Sequence, residues 1–435
     1  MPGWSVFVAV VALVLGLTWG LNARQRRHLL AARGAVPPAF ASHVTLAQHQ
    51  RAVDYHLDSL RVADVGALAQ HGWLLAMTVG GGLAAGVALV SPLASASPQA
   101  AFAAALGLGL GLEFLRALLV DSPLAAWAQF GVEERHGFNR TSWRTFLLDQ
   151  LKASVVMLVL GGGLMAFGLW LVLQRTALGP AWWLALWAGF AAFMMLMQVL
   201  FPLVIAPWFN RFEPLPEGPL RTRLEALLER LSFPAQGLYV MDGSSRSSHG
   251  NAYFAGMGRS RRIVLFDTLL AQLTEPQVEA VLAHEIAHAR CGHVPRQLGL
   301  FLLLALVGLA AFGLWLDHPG WLAWVGVAPE VVAAAPQAVG DVASLIAFFL
   351  ALPVATVPLQ PLISSLSRRY EFEADAWAAR ETGGQVLSEG LIALSRDNGQ
   401  PLTTDRWFSA FHDSHPPVPL RVAALAEAPA GQGMA

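Results

Sequence analysis

The sequence predicts a multi-spanning, predominantly α-helical membrane protein carrying a polar domain on one face of the bilayer. Three observations lead there. Of 435 residues, 55% are hydrophobic and only 13% charged, with a mean hydropathy of +0.51; a soluble globular chain carries about 25% charged residues. Seven apolar runs are each long enough to cross a bilayer. Finally, 26 of the 28 basic residues fall in alternate connections between those runs or in the C-terminal region after the last, leaving only Arg116 and Arg175 elsewhere.

The first run, Trp4 to Leu21, has no basic residue before it and reads as a retained membrane helix rather than a cleaved leader. A polar segment, about 22–72, follows with Arg24, Arg26, Arg27, Arg33, Arg51 and Arg61. Further runs lie at about 73–92, 100–120, 153–173, 182–206, 297–316 and 342–362. Tryptophans mark many of their ends (Trp4, Trp19, Trp73, Trp182, Trp183, Trp208, Trp315), where ring and headgroup meet. Glu113 and Arg116 fall inside the third run, spaced to neutralise each other on a helix. The connection at 317–341 is apolar but broken by Pro319, Pro329 and Pro336, and reads as an external loop or interfacial segment, an eighth span being the lesser reading. By the positive-inside rule the odd connections and the C-terminus are cytoplasmic and the N-terminus is outside.

The chain therefore divides into 1–206 (five spans with their loops), a cytoplasmic segment 207–296, spans six and seven at 297–362, and a second cytoplasmic segment 363–435. The two cytoplasmic segments are able to form one domain. Leu238 to Met241, Asn251 to Phe254 and Ile263 to Phe266 are short strand candidates, with turns at Asp242-Gly243 and from Gly256 to Ser260. A small β-unit thus precedes the next helix. The chain after about Glu427 reads as frayed. A formal net charge of −1 gives no sign of a nucleic-acid partner, and the single cysteine, Cys291, excludes an intrachain disulfide.

That next helix carries His284-Glu285-Ile286-Ala287-His288. Histidines four apart stack on one helix face, so both rings can reach one Zn²⁺, while Glu285 is left to take a proton from water. Thr274, Glu275 and Pro276 supply an N-cap, an early acid and a first-turn proline. Two histidines leave a catalytic zinc one protein donor short. His293 comes nine residues after His284 with Gly292 and Pro295 beside it, which suits a supporting role better than a metal bond. The better donor is Glu371, just beyond span seven: Arg368, Glu371 and Asp375 share one helix face. Glu371 reaches the metal, Asp375 accepts the N–H of a ligand histidine, and Arg368 orients one of these carboxylates. Glu373 points away and is the weaker donor.

These residues, His284 to His288 with Glu371-Phe372-Glu373-Ala374-Asp375, resemble those of the type I CAAX prenyl protease family, integral-membrane zinc endopeptidases. Five further blocks resemble the family in order: Glu133 to Thr141, Pro207 to Leu215, Ser247 to Phe254, Arg262 to Leu270, and Ser414 to Pro417 with Arg421. Two departures are Gly250, where a serine is common, and Pro419, an added proline between His415 and Arg421. The resemblance implies seven tilted helices around a large chamber, capped by the zinc domain, and proteolysis beside a prenylated cysteine near a substrate C-terminus.

On this reading one Zn²⁺ is held by His284, His288 and Glu371, and Glu285 is the general base. A substrate strand pairs with the edge at Asn251, Ala252 and Tyr253. His415 is a donor to the oxyanion and Arg421 a partner for a substrate carboxylate; turn capping and a surface ion pair are the structural alternatives, and the resemblance favours function. The expected partners are a peptide or protein substrate, possibly prenylated, and the lipid bilayer, with the chain a monomer. A bacterial inner membrane is favoured over endoplasmic reticulum. Three other readings compete. A transporter with a coincidental motif does not explain the full donor set. A protease with its motif inside a membrane helix conflicts with Pro276 and Pro295 bounding a charged helix. A shorter relative that degrades misfolded membrane proteins has fewer spans.

Overall fold

The computed structural model describes residues 3–255, 261–318 and 320–427; the expected turn from Gly256 to Ser260, Pro319 and the tail after Glu427 lie outside them. Among the described residues six helices are long and apolar enough to cross a membrane: Gly3–Ala32, Pro98–Glu133, Trp143–Leu173, Trp182–Phe209, His293–Leu316 and Gln337–Thr382. A bent pair, Leu46–Met77 and Gly82–Ala94, at 50° to each other, is apolar enough to cross when the two are taken as one span, which makes seven. Each of the seven apolar runs therefore lies on one of these helices or on the broken pair.

The membrane helices do not stop where their apolar runs stop, which corrects the reading of 22–72 as a polar loop. The first helix continues to Ala32, and a second starts at Leu46 under a reciprocal capping box between Thr45 and Gln48. Such a box satisfies two of the helix's unpaired N–H groups. The polar extensions are pinned by charge: Arg33 forks onto Asp54 at 2.9 and 2.8 Å, and Arg24 onto Asp405 at 3.1 and 2.9 Å. His28 lies 2.6 Å from Thr403 Oγ1. The first helix is thereby tied to the last part of the chain.

The connection between spans six and seven is no eighth span. It folds into two short helices, Trp321–Trp324 and Pro329–Ala334. Leu322, Val325, Val327 and Val332 bury themselves with Leu83, Val87, Ala105, Leu108, Val339 and Val342. Arg175 sits beside this end of the bundle, bonded to Asp341 at 2.7 Å and to Asp317 at 3.1 Å. Glu113 and Arg116 pair as their spacing suggests, at 2.9 Å, and Arg116 also reaches Asp121 at 2.8 Å.

Outside the spans lies a four-stranded sheet in the order β1-β2-β4-β3, with β1 Phe212–Pro214, β2 Gly237–Met241, β3 Ala252–Ala255 and β4 Arg262–Phe266. β2 and β4 run parallel; β1 and β3 are antiparallel edges. The three strands expected from sequence are here, and β1 is an addition: three residues ending in proline give no alternating pattern to read. One hydrophobic core joins this sheet to helices from both segments outside the apolar runs, 207–296 and 363–435, through Leu224, Leu227, Ile263, Leu265, Leu269, Leu282, Ile286, Ala378, Leu387, Leu391 and Leu425. Arg246 fastens the unit to the spans, with Nε 3.0 Å from Asp149 and Nη1 3.1 Å from Asn210 Oδ1.

Candidate active site

The motif helix is Glu275–Arg290, started by a capping box between Thr274 and Gln277 with Pro276 in its first turn. Worth about 0.5–2 kcal/mol, the cap fixes where the helix starts and so which face the histidines occupy. Its apolar residues Val278, Leu282 and Ile286 are buried in the core, leaving His284, Glu285 and His288 on the flank that meets helix Gln360–Thr382. That second helix continues span seven through one 3₁₀ turn, so its position follows from the membrane helix.

Across this seam His284 Nε2 lies 3.4 Å from Glu371 Oε2, His288 Nε2 lies 3.3 Å from Glu371 Oε1, and the two Nε2 atoms are 3.1 Å apart. Tetrahedral bonds of about 2.0–2.1 Å set donor atoms about 3.3–3.4 Å apart, so the triangle has the dimensions of a zinc site. Glu371 Oε2 is buried without a hydrogen-bond partner among the described residues. A carboxylate oxygen is expensive to bury unpaired, and a cation bound between the three donors removes that cost. The donor set, two imidazoles and a carboxylate, suits zinc. These residues fit the metal.

Behind the triangle, His284 Nδ1 is 2.9 Å from Asp375 Oδ1. Burial opposes a charge on His284, but the carboxylates of Asp375 and Glu371 beside it outweigh that and raise its pKa to about 9. Asp375 is itself forked by Arg421, through Nε at 2.7 Å and Nη2 at 2.6 Å, with all three groups buried. Nη1 of Arg421 is 3.5 Å from Glu371 Oε2. The expectation that Arg421 awaits a substrate carboxylate therefore gives way: two of its nitrogens are engaged by Asp375, and it positions that carboxylate. Pro419 does not disturb this, because it occupies the first turn of helix Val418–Glu427, where no N–H is needed.

Arg368 is also corrected. It touches neither carboxylate; its Nη1 donates to the carbonyls of Ser409 and Asp413 at 3.0 and 2.8 Å. On the helix its side chain leaves the seam and ties down the segment that leads to His415. His415 is exposed, with Nε2 3.4 Å from Glu371 Oε1, at the open mouth of the triangle. Glu285 lies beside the two histidines, and burial raises its carboxyl pKa against the pull of their charges.

β3 is an outer strand: β4 pairs with one side of it and the described residues leave the other side open. Phe266 N–H bonds the carbonyl of Asn251 at 3.0 Å, so by the alternation of a strand Ala252 turns its backbone toward the free edge. Its N–H is met there by the Asn251 side chain at 2.8 Å. Gly250 is buried, clamped by Asn398 through its N–H at 2.8 Å and its carbonyl at 3.0 Å. A Cβ there would stand 2.2 Å from Gln272 Oε1 and 3.2 Å from the Leu269 Cα. The departure at Gly250 is thus matched by Gln272 filling the space.

Sequence reasoning expected a supporting role for His293 but overlooked Glu373 as its partner. Gly292, in the left-handed region at φ 68°, joins the motif helix to the next span and brings His293 back against it. His293 Nδ1 is 3.0 Å from His288 Nδ1, and its Nε2 is 3.2 Å from Glu373 Oε2. Glu373, set aside as the weaker donor, anchors this histidine; the signal was present in the spacing of Gly292 and His293.

Comparison with known proteins agrees with the fold and with a membrane metalloprotease. Residues 25–211 match the family described as CAAX prenyl protease N-terminal, five membrane helices, and residues 214–428 match peptidase family M48. The chain is 34% identical over 315 residues to the CAAX prenyl protease 1 homolog of Oryza sativa, covering 71% of this chain and 70% of that one. It is 32% identical over 334 residues to CAAX prenyl protease 1 of Saccharomyces cerevisiae, covering 73% and 71%. Its fold superposes on the crystal structure of S. mikatae Ste24p with a TM-score of 0.85 at 26% identity, over 98% of this chain and 99% of that one. The chain is thus a member of the CAAX prenyl protease family of multi-pass membrane metalloendopeptidases.

Proposed function

We propose that this protein is a zinc endopeptidase that cleaves near the C-terminus of prenylated, CAAX-type substrates at the cytoplasmic face of its membrane. The observation that carries the reading is the triangle of His284, His288 and Glu371 beside the free edge of β3. One zinc per chain would be held by those three residues, and it supplies Lewis acidity to the attacking water and the scissile carbonyl.

The chain's own groups do the rest. The open edge of β3, where Ala252 turns its backbone outward between Asn251 and Tyr253, holds the substrate extended, as an added strand; the backbones of Asn251 and Tyr253 themselves face β4. Glu285, carrying no fixed ion pair among the described residues, takes a proton from the attacking water and hands it to the departing amine as the C–N bond breaks. His415 donates to the carbonyl oxygen as negative charge gathers there. Asp375 fixes the tautomer of His284 so that Nε2 faces the metal, and Arg421 holds Asp375 in turn.

The spans support a hollow arrangement in which an anchored substrate is enclosed. Along Trp182–Phe209 only Trp182, Leu186, Ala191 and Ala206 are buried, and nothing between His293 and Leu309 is buried. Helices of a solid bundle bury a continuous inner stripe. The relatives' names point to a prenylated substrate, and the chain's basic map to a cytoplasmic site with the N-terminus outside. The deciding experiment compares purified protein and Glu285→Gln on three substrates: a prenylated C-terminal peptide, the same peptide unprenylated, and an unfolded membrane protein. Zinc-dependent cleavage of the first alone supports the reading. Equal cleavage of the unfolded protein sinks the prenyl assignment, and full activity of Glu285→Gln sinks the catalytic one.

A further inference from the structure

One turn from the donor triangle lies a second cluster of metal-binding side chains: Cys291, His293 and Glu373. One potential ligand atom from each lies within 4.8 Å of the others. His293 Nε2 and Glu373 Oε2 are already 3.2 Å apart, the separation two donors take around one tetrahedral ion. Three helices assemble the cluster. Cys291 ends the motif helix and His293 opens the next, joined by Gly292, while Glu373 comes from the opposite helix. The three differ in access in a useful way. His293 is buried and stacked on Tyr370, with ring centroids 4.3 Å apart, so its plane is fixed. Cys291 is partly exposed and Glu373 half exposed, so an ion from solvent can reach them and the carboxylate can turn to meet it.

We propose that Cys291, His293 and Glu373 form a second metal site, selective for thiophilic divalent ions, whose occupation opposes metal binding at His284, His288 and Glu371. A thiolate, an imidazole and a carboxylate with an open fourth position suit zinc or cadmium, the thiolate favouring soft ions over magnesium or calcium. On binding, the thiol proton leaves to solvent and the His293 proton moves from Nε2 to Nδ1, so one proton is released per ion.

The opposition follows from a single hydrogen bond, and rests on His288 being a donor to the catalytic metal. His288 Nδ1 and His293 Nδ1 face each other at 3.0 Å, and only one of them can carry the proton between them. With a metal on His288 Nε2, the proton of that neutral ring sits on Nδ1 and is donated to His293. His293 must then accept there, keep its own proton on Nε2, and donate it to Glu373. That tautomer has no lone pair for a metal. With an ion on His293 Nε2 the order reverses: His293 Nδ1 carries the proton, His288 Nδ1 must accept it, and His288 Nε2 becomes an N–H aimed into the donor triangle. Filling both sites leaves two N–H groups facing each other across a buried contact. Excess thiophilic metal should therefore remove metal from the catalytic donors and halt hydrolysis, without competing for those donors directly.

Because Cys291 is the chain's only cysteine, cadmium alone is a clean probe. Cadmium is titrated into the zinc-loaded protein, into Cys291→Ala and into Glu373→Gln. The ultraviolet thiolate-to-cadmium charge-transfer band and the zinc released are followed together. In the unaltered protein the band should saturate at one cadmium per chain, and zinc should leave at about tenfold lower cadmium than in Cys291→Ala, a coupling within the usual 5–150-fold range. Glu373→Gln should need more cadmium for the same band. Cys291→Ala should cleave normally before cadmium is added. No band in the unaltered protein overturns the site; a band with identical zinc-release curves in both proteins overturns the opposition. Purified protein that never retains zinc contradicts the catalytic reading instead, and the band still reports on the second site.

Discussion

Glu285 offers the sharpest separation of chemistry from binding at the scale of one residue. It stands beside the metal donors without being one, so Glu285→Gln should keep the zinc content of the purified protein while kcat falls by about 10²–10⁴-fold. Metal analysis alongside peptide cleavage checks this, and loss of zinc in the variant would recast Glu285 as a ligand. Gly250 makes a purely structural prediction. Restoring serine at this buried position drives a side chain into Gln272 and the Leu269 backbone, so Gly250→Ser should cost about 1–3 kcal/mol of stability. Thermal unfolding in detergent reads that cost, and Gly250→Ser combined with Gln272→Ala should recover part of it.

At the scale of elements, the seam between Glu275–Arg290 and Gln360–Thr382 aligns the donors, and helix Val418–Glu427 locks it through Arg421 and Asp375. Removing one member of a buried, forked ion pair leaves its partner uncompensated. Asp375→Asn should lower zinc affinity about 10–100-fold, measured by competition with a chelator, while the cap at Thr274 keeps the motif helix in place. Much of this seam was legible in advance. The i, i+4 histidines, the capping signals and the face shared by Glu371 and Asp375 are local patterns with local geometry. Arg368 and Arg421 were misjudged because an arginine's partner depends on where a distant element packs: the Ser409 and Asp413 carbonyls take one, and Asp375 the other. β1 was invisible for a related reason, since its pairing with β2 comes from tertiary context.

For the whole molecule, composition and the distribution of arginine were enough to count the spans, because a bilayer imposes length and polarity on every crossing segment. They did not disclose that the helices run on past the membrane, since nothing in a hydropathy profile ends or extends a helix; caps do, and the box at Thr45 and Gln48 went unread. The sidedness is directly testable. In a Cys291→Ala background, His318→Cys and Gln400→Cys place single thiols at exposed positions on opposite sides of the proposed arrangement. An impermeant reagent added outside intact cells should label the first and spare the second; the reverse result would invert the topology.

The order of the donors along the chain gives the protein a safeguard during its own synthesis. His284 and His288 leave the ribosome before spans six and seven are made, while Glu371 arrives only after both have entered the bilayer. Asp375 and Arg421 follow later still. A nascent chain thus carries two of the three proposed donors, and lacks Glu371, Asp375 and Arg421, until its last membrane hairpin is in place. Hydrolytic capacity should appear abruptly at completion of the chain, so that an unfinished protease tethered to its ribosome poses no hazard to neighbouring membrane proteins.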